Sequence, residues 1–91
     1  MTHPARRTVL LVEDEPGIAD TAAYALEREG FAVARAGTLG AARERLAGGD
    51  LALVVLDVGR PDGSWFDFCR ELRRASDVPV LFLTARSEEA D

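Results

Sequence analysis

Lysine, asparagine and glutamine are absent from the 91 residues. All eleven basic side chains are arginine, so any role that needs a lysine ammonium is closed to this chain. The bias, with abundant alanine, fits the codon usage of a GC-rich genome rather than a physical device. One cysteine, Cys69, excludes an internal disulfide and fits a reducing compartment. No apolar run approaches the length of a bilayer span. The first fifteen residues, MTHPARRTVLLVEDE, hold two arginines but no signal-peptide core. A cytoplasmic protein without membrane contact is expected. Positive charge is also scarce: 11 basic against 16 acidic residues leave a net charge of −5. That argues against nonspecific binding to nucleic acid or anionic lipid. No repeat, low-complexity tract or linker is visible, and the length allows one small domain.

What is present alternates between two periods. Thr8 to Val12 is a compact apolar run bounded by acids, which reads as a buried strand. Glu15-Pro16 suits a helix start, because proline fits the first turn and acids favour the positive helix end. Ile18, Ala22, Ala25 and Leu26 then form an apolar stripe, and Gly30 ends the helix. Phe31 to Arg35 alternates as a short second strand. Thr38 caps a second helix with Leu39, Ala42 and Leu46 on one face, stopped by Gly48-Gly49. Leu51 to Leu56 is an unbroken apolar run, the third strand. Ser64 is the expected cap of a third helix, with Asp67 as its capping-box partner and Trp65, Phe68, Cys69 and Leu72 on one face. Val80 to Leu83 is the fourth strand. The order βαβαβαβ means a parallel sheet with helices on both faces.

The C-terminal ends of parallel strands share one edge, where ligands bind. Glu13 and Asp14 follow strand one, Asp57 closes strand three and Thr84 closes strand four. Taken alone, each has an ordinary explanation: a turn residue, a helix-dipole partner, a cap. Taken together they are less ordinary. If strands one and three are neighbours, three carboxylates converge, and like charges at that range are unfavourable without a cation. Oxygen ligands with room for water suit Mg²⁺.

The segments LLVEDEPGIAD, LALVVLDVGRPDG and VPVLFLTAR resemble, in this order, the receiver domain of two-component response regulators. The likeness spans almost the whole chain and falls nearest the OmpR/PhoB group, including its CreB-like regulators. It implies a flavodoxin-like doubly wound parallel sheet with strand order 2-1-3-4-5. It implies that Asp57 is the phosphoacceptor, served by a sensor histidine kinase in a phosphorelay. It implies a Mg²⁺ site from Asp14, Asp57 and the Gly59 carbonyl, with Glu13 assisting through water. Thr84 would be the switch hydroxyl, and the small Ala85 would leave the acceptor open. An aspartate is ionised at neutral pH, so such a nucleophile needs no general base.

Four features depart from the family pattern. The lysine that follows the family's fifth strand is not among these residues, nor are that strand and its flanking helices. Trp65 stands where the family's turn carries glycine, and Arg60 where it carries an apolar residue. A partial receiver over 8–91, after a tail of residues 1–7, is therefore expected, incomplete after its fourth strand. That strand would be an open edge through which chains self-associate. His3 and Arg86 are expected to play no part at the site, and Cys69 is a buried small hydrophobe. Two other readings compete. One is a signalling-incompetent receiver remnant acting only as an interaction module. The other is a phosphoaspartyl hydrolase, which wants a second aspartate where Gly59 stands. A nucleotide-binding loop is disfavoured because VEDEPG is acidic where glycines should cradle phosphate. Direct nucleic-acid binding by this chain is not expected.

Overall fold

The computed structural model describes residues 7–59 and 64–83. Four strands alternate with three helices: β1 (Thr8–Val12), α1 (Pro16–Arg28), β2 (Ala32–Ala36), α2 (Leu39–Ala47), β3 (Leu51–Asp57), α3 (Ser64–Ala75) and β4 (Val80–Leu83). All pairings are parallel, in the order β2-β1-β3-β4. The chain steps outward from β1 to β2, then returns to place β3 on the other side of β1. The reversal leaves a switch point between β1 and β3, at their C-terminal ends.

Unbroken apolar runs form the central strands because both faces of the sheet are covered. On β1, Leu10 and Val12 enter one buried cluster with Leu39 and Ala42 of α2 and Phe68 and Leu72 of α3. Val9 and Leu11 point the other way, into a second cluster with Ala19 and Ala23 of α1. The period of two splits β3 likewise: Val54 and Leu56 join the first cluster and Val55 the second.

Helix boundaries follow local chemistry. Glu15 is the N-cap of α1, accepting the Ile18 N–H at 3.1 Å, with Pro16 in the first turn. Thr38 caps α2 by accepting the Ala41 N–H at 3.0 Å. Gly30, at φ 97°, takes the left-handed conformation just past α1. Two expectations need correction. The buried face of α1 centres on Ala19 and Ala23, with Ala22 and Leu26 at its margin, and Ala25 is exposed. Methyl side chains at positions 19 and 23 let the helix lie close on the sheet, which turns the bulkier Ile18 to the rim. Ser64 is already the first residue of α3 rather than its cap, so the cap position falls outside the described residues. The expected α3 face holds, with Phe68 and Leu72 buried and Trp65 and Cys69 partly so. Burial pushes the Cys69 thiol up, against the opposing pull of Arg73, which disfavours the thiolate.

Among the described residues, β4 is a sheet edge, with Leu81 and Phe82 both more than half exposed. An open strand edge with apolar side chains is a template for pairing. Covering each such side chain is worth about 1.5–3 kcal/mol. A chain of residues 1–91 is expected to self-associate through β4, and Leu81→Lys to return it to monomer. Sedimentation equilibrium checks this; a wild-type chain that stays monomeric at high concentration would contradict it.

Candidate metal and acceptor site

The register of the ladder builds the site. Val12 pairs with Leu56, so the residues just beyond, Glu13 and Asp57, meet across the β1–β3 seam. The Glu13 N–H is tied to the Ala36 carbonyl of β2 at 3.0 Å. Glu13 is buried to 5% exposure, Asp57 is half-buried and Asp14 is exposed. One carboxylate oxygen from each can be chosen so that all lie within 4.8 Å of one another.

Each carboxylate is held differently. Glu13 Oε2 accepts the Glu15 N–H at 3.0 Å, at the entry to α1. Its other oxygen, Oε1, is buried with no hydrogen-bond partner among the described residues. Asp57 Oδ1 accepts the Gly59 N–H at 2.8 Å, closing a tight turn. A Cβ at position 59 would stand 3.1 Å from that same oxygen, so glycine is what lets the turn close so near the carboxylate. The Val58 N–H donates to the Leu83 carbonyl at 3.0 Å, so β4 flanks the turn.

Burial is the main force on Glu13, and it pushes the carboxyl above its ordinary value of 4.5. The Glu15 N–H opposes this, while the charges of Asp57 and Asp14 add to it. Two carboxylates can hydrogen-bond only if one carries a proton, so the closeness of Asp57 acts in the same upward direction. An orphaned, buried carboxylate oxygen beside two more acids is a costly arrangement in the absence of positive charge. A hard divalent cation with oxygen ligands relieves all of it at once, so the residues fit Mg²⁺.

The linkage has a definite sign. Between 4.5 and the raised folded value, the native state holds more protons than the unfolded chain. Metal-free stability therefore falls as pH climbs through that window. Mg²⁺ competes with the same proton, so its affinity should rise across the window and then level off. Calorimetric Mg²⁺ titrations over pH are expected to show this rise, and Glu13→Gln to flatten it. An unchanged pH dependence in Glu13→Gln would assign the proton to another group.

Glu13, Asp14, Asp57 and Gly59 are thus gathered as the strand order required. Thr84, expected to complete the site, lies outside the described residues, as do Arg60, Ala85 and Arg86. Its predecessor Leu83 pairs in register with Asp57. The departure at Trp65 introduces no backbone strain: Asp50 is the one non-glycine residue with positive φ among those described. Besides the Gly59 N–H on Asp57, two contributions carry no signal in the sequence. One is the Glu15 N–H, which orients Glu13; no side-chain pattern signals a main-chain donor. The other is the contact of Trp65 with Phe82, whose rings lie 6.0 Å apart at 68°. Residues so distant in sequence carry no local signal of it.

A doubly wound parallel sheet with an acid trio at its switch point defines a class of α/β domain, one able to hold a divalent cation beside a nucleophilic carboxylate. The family model described as the response regulator receiver domain matches residues 9–91, and the chain belongs to that family. Receiver domains of this kind are generally signalling modules rather than enzymes, work in two-component systems and bind Mg²⁺ at their acidic pocket. The transcriptional regulatory protein CreB of Escherichia coli K12 is 50% identical, over 94% of this chain and 38% of its own length. The KDP operon regulator KdpE of the same organism is 46% identical, over 91% of this chain and 37% of its own. This chain thus spans less than two fifths of these relatives. Among solved structures, the response regulator TrrA of Thermotoga maritima in complex with magnesium and beryllium fluoride superposes with a TM-score of 0.78 at 29% identity. That match covers 89% of this chain and 71% of TrrA. TrrA in complex with the histidine kinase ThkA matches with the same TM-score and identity, over 93% and 74%. No helix among the described residues is long and apolar enough to cross a membrane.

Proposed function

We propose that Asp57 accepts a phosphoryl group from the phosphohistidine of a sensor histidine kinase. The observation that carries this is the convergence of Glu13, Asp14 and Asp57 at the switch point, with Glu13 Oε1 buried and unpartnered. A carboxylate oxygen of Asp57 attacks phosphorus, and the P–N bond to the donor imidazole breaks. The electron pair returns to that nitrogen, which takes up a proton, and Asp57 becomes an acyl phosphate. Bound Mg²⁺ supplies charge neutralisation for the phosphoryl oxygens. Asp14, Asp57 and the Gly59 carbonyl would hold it directly, with Glu13 assisting. The Gly59 N–H donates to Asp57 Oδ1 at 2.8 Å and so orients the carboxylate. Thr84 would be the switch hydroxyl that closes on the phosphoryl group.

Partner and output follow from the relatives. TrrA is seen with a histidine kinase, which supports a kinase as phosphodonor here. CreB and KdpE are transcriptional regulatory proteins of which this chain matches 38% and 37%. The net charge of −5 directs promoter contact away from this part of such a regulator. Gly59 occupies the position where a phosphoaspartyl hydrolase places its acid/base, so that reading is not favoured. The test is intact-mass analysis after treatment with a small-molecule phosphodonor and Mg²⁺. One labile phosphoryl adduct, mapped to Asp57 and not formed when EDTA replaces Mg²⁺ from the start, is expected. A stable adduct, or one on another residue, would refute the assignment.

A further inference from the structure

We propose that Trp65 is a positioning residue for this site: with Phe82 it fastens the far end of the segment that follows Asp57 to β4. The inference rests on the reading of Asp57 and Gly59 as site residues, and it concerns what holds them in place.

β3 ends at Asp57 and α3 begins at Ser64. At its near end, the Val58 N–H donates to the Leu83 carbonyl at 3.0 Å. The next residue, Gly59, turns its N–H onto Asp57 Oδ1 at 2.8 Å. At its far end, Trp65 is the second residue of α3, and its ring meets Phe82 edge to face with centroids 6.0 Å apart. Phe82 pairs in register with Leu56, and Leu83 with Asp57. Two consecutive residues of β4 therefore grip both ends of the acceptor segment, one through its carbonyl and one through its ring.

Trp65 is not needed to anchor the helix. Phe68 and Leu72, both fully buried, already do that against Leu10, Leu56 and their neighbours. Trp65 sits about one turn nearer the N-terminus, half-buried, packed on the rim of the same cluster. Phe66 also meets the Trp65 ring edge-on, at 5.8 Å, but it is 56% exposed and has no ring contact with β4 among the described residues. The geometry thus separates a tie, Trp65–Phe82, from a neighbour that merely touches it.

Two readouts test this on the 91-residue chain. The first needs no metal: amide hydrogen exchange at Val58 and Gly59. Trp65→Ala and Phe82→Ala should each speed exchange there by about 3- to 10-fold, the range set by an edge-to-face ring pair. Trp65→Phe, which keeps a ring, should restore most of the protection, and Phe66→Ala should leave it at the wild-type level. The double variant Trp65→Ala/Phe82→Ala should be no worse than either single change. The second readout is Mg²⁺ affinity, which should fall in Trp65→Ala and Phe82→Ala by a similar factor and recover in Trp65→Phe. Wild-type exchange at Val58 and Gly59 in Trp65→Ala would overturn the proposal. So would equal acceleration of Leu10 in central β1, which marks general destabilisation, or an effect of Phe66→Ala as large as that of Trp65→Ala. A wild-type chain indifferent to Mg²⁺ would overturn the metal site instead, and the amide rates would still decide whether the tie exists.

Discussion

Asp57→Asn is expected to abolish the phosphoryl adduct and, in the same molecule, to raise the stability of the metal-free chain. The loss of chemistry is complete because an amide oxygen is not a nucleophile toward phosphorus and carries no charge for the cation. The gain in stability comes from Glu13. That carboxyl is buried, pushed up by desolvation and by the charge of Asp57, and one of its oxygens lacks a partner. Asparagine removes the like charge and brings an NH₂ donor to the same place. Relief of the repulsion and one new hydrogen bond to a charged group together contribute on the order of 1–2 kcal/mol. For a domain of this size each 1 kcal/mol moves Tm by about 4–8 °C. The gain should be largest above the raised value of Glu13, where the carboxylate is ionised, and should shrink as pH falls toward 4.5. Saturating Mg²⁺ should reverse the ranking, because it stabilises the wild type by binding only its folded site. Thermal melts of both proteins, with Mg²⁺ and with EDTA, check all of this. A metal-free Asp57→Asn chain that melts below wild type would mean that Asp57 is a structural turn residue whose charge the fold wants.

The opposed signs explain why Asp57 stood out in the sequence. An apolar run as continuous as Leu51 to Leu56 specifies a strand covered on both faces, and the two buried clusters share it as the period of two requires. Ending such a strand on a carboxylate beside Glu13 works against stability, and such conflicts are where function resides. The alternation of strands and helices, the helix start at Glu15-Pro16 and the cap at Thr38 were legible because each depends on residues near in sequence; the strand order, and with it the meeting of the acid trio, came from the resemblance to the receiver family. The exact buried face of α1 was not. Ala19, Ala22, Ala23 and Ala25 are chemically alike, so periodicity alone cannot choose among them, and the rotation of the helix is set by how closely its alanines let it approach β1 and β2. The main-chain donors at Glu15 and Gly59 were also hidden, since every residue but proline has such a donor. The Trp65–Phe82 contact needed the placement of α3 over β4, which no local pattern encodes.

Phe68→Ala is expected to be the most damaging change outside the acid trio. Phe68 is the largest fully buried side chain, at the centre of the cluster formed by Leu10, Val12, Leu39, Ala42, Leu56 and Leu72. It comes from α3, yet it touches the sheet and α2 alike, and the guanidinium of Arg43 lies 5.9 Å from its ring. Arg43 in turn reaches back to Glu71 of α3 through two hydrogen bonds, of 2.7 and 3.2 Å. That ion pair is exposed and offers little to replace a lost core. Truncating the ring removes its transfer free energy and leaves a cavity walled by strands that cannot collapse inward, a loss of about 3–5 kcal/mol. A domain holds only about 5–15 kcal/mol in all, so much of the margin goes. Phe66→Ala, two positions earlier on the same helix, changes a side chain that is 56% exposed. Its cost should stay within about 0.5 kcal/mol. Phe68→Leu keeps most of the volume and should cost less than half as much as Phe68→Ala. Urea unfolding of the three variants, with slopes compared to exclude a change in the unfolded chain, reads these differences. If Phe68→Ala and Phe66→Ala prove equally mild, α3 is not anchored by its buried face. The acceptor segment would then have to be held by the Val58–Leu83 and Gly59–Asp57 hydrogen bonds at its near end and by the Trp65–Phe82 ring pair at its far end, without help from the core.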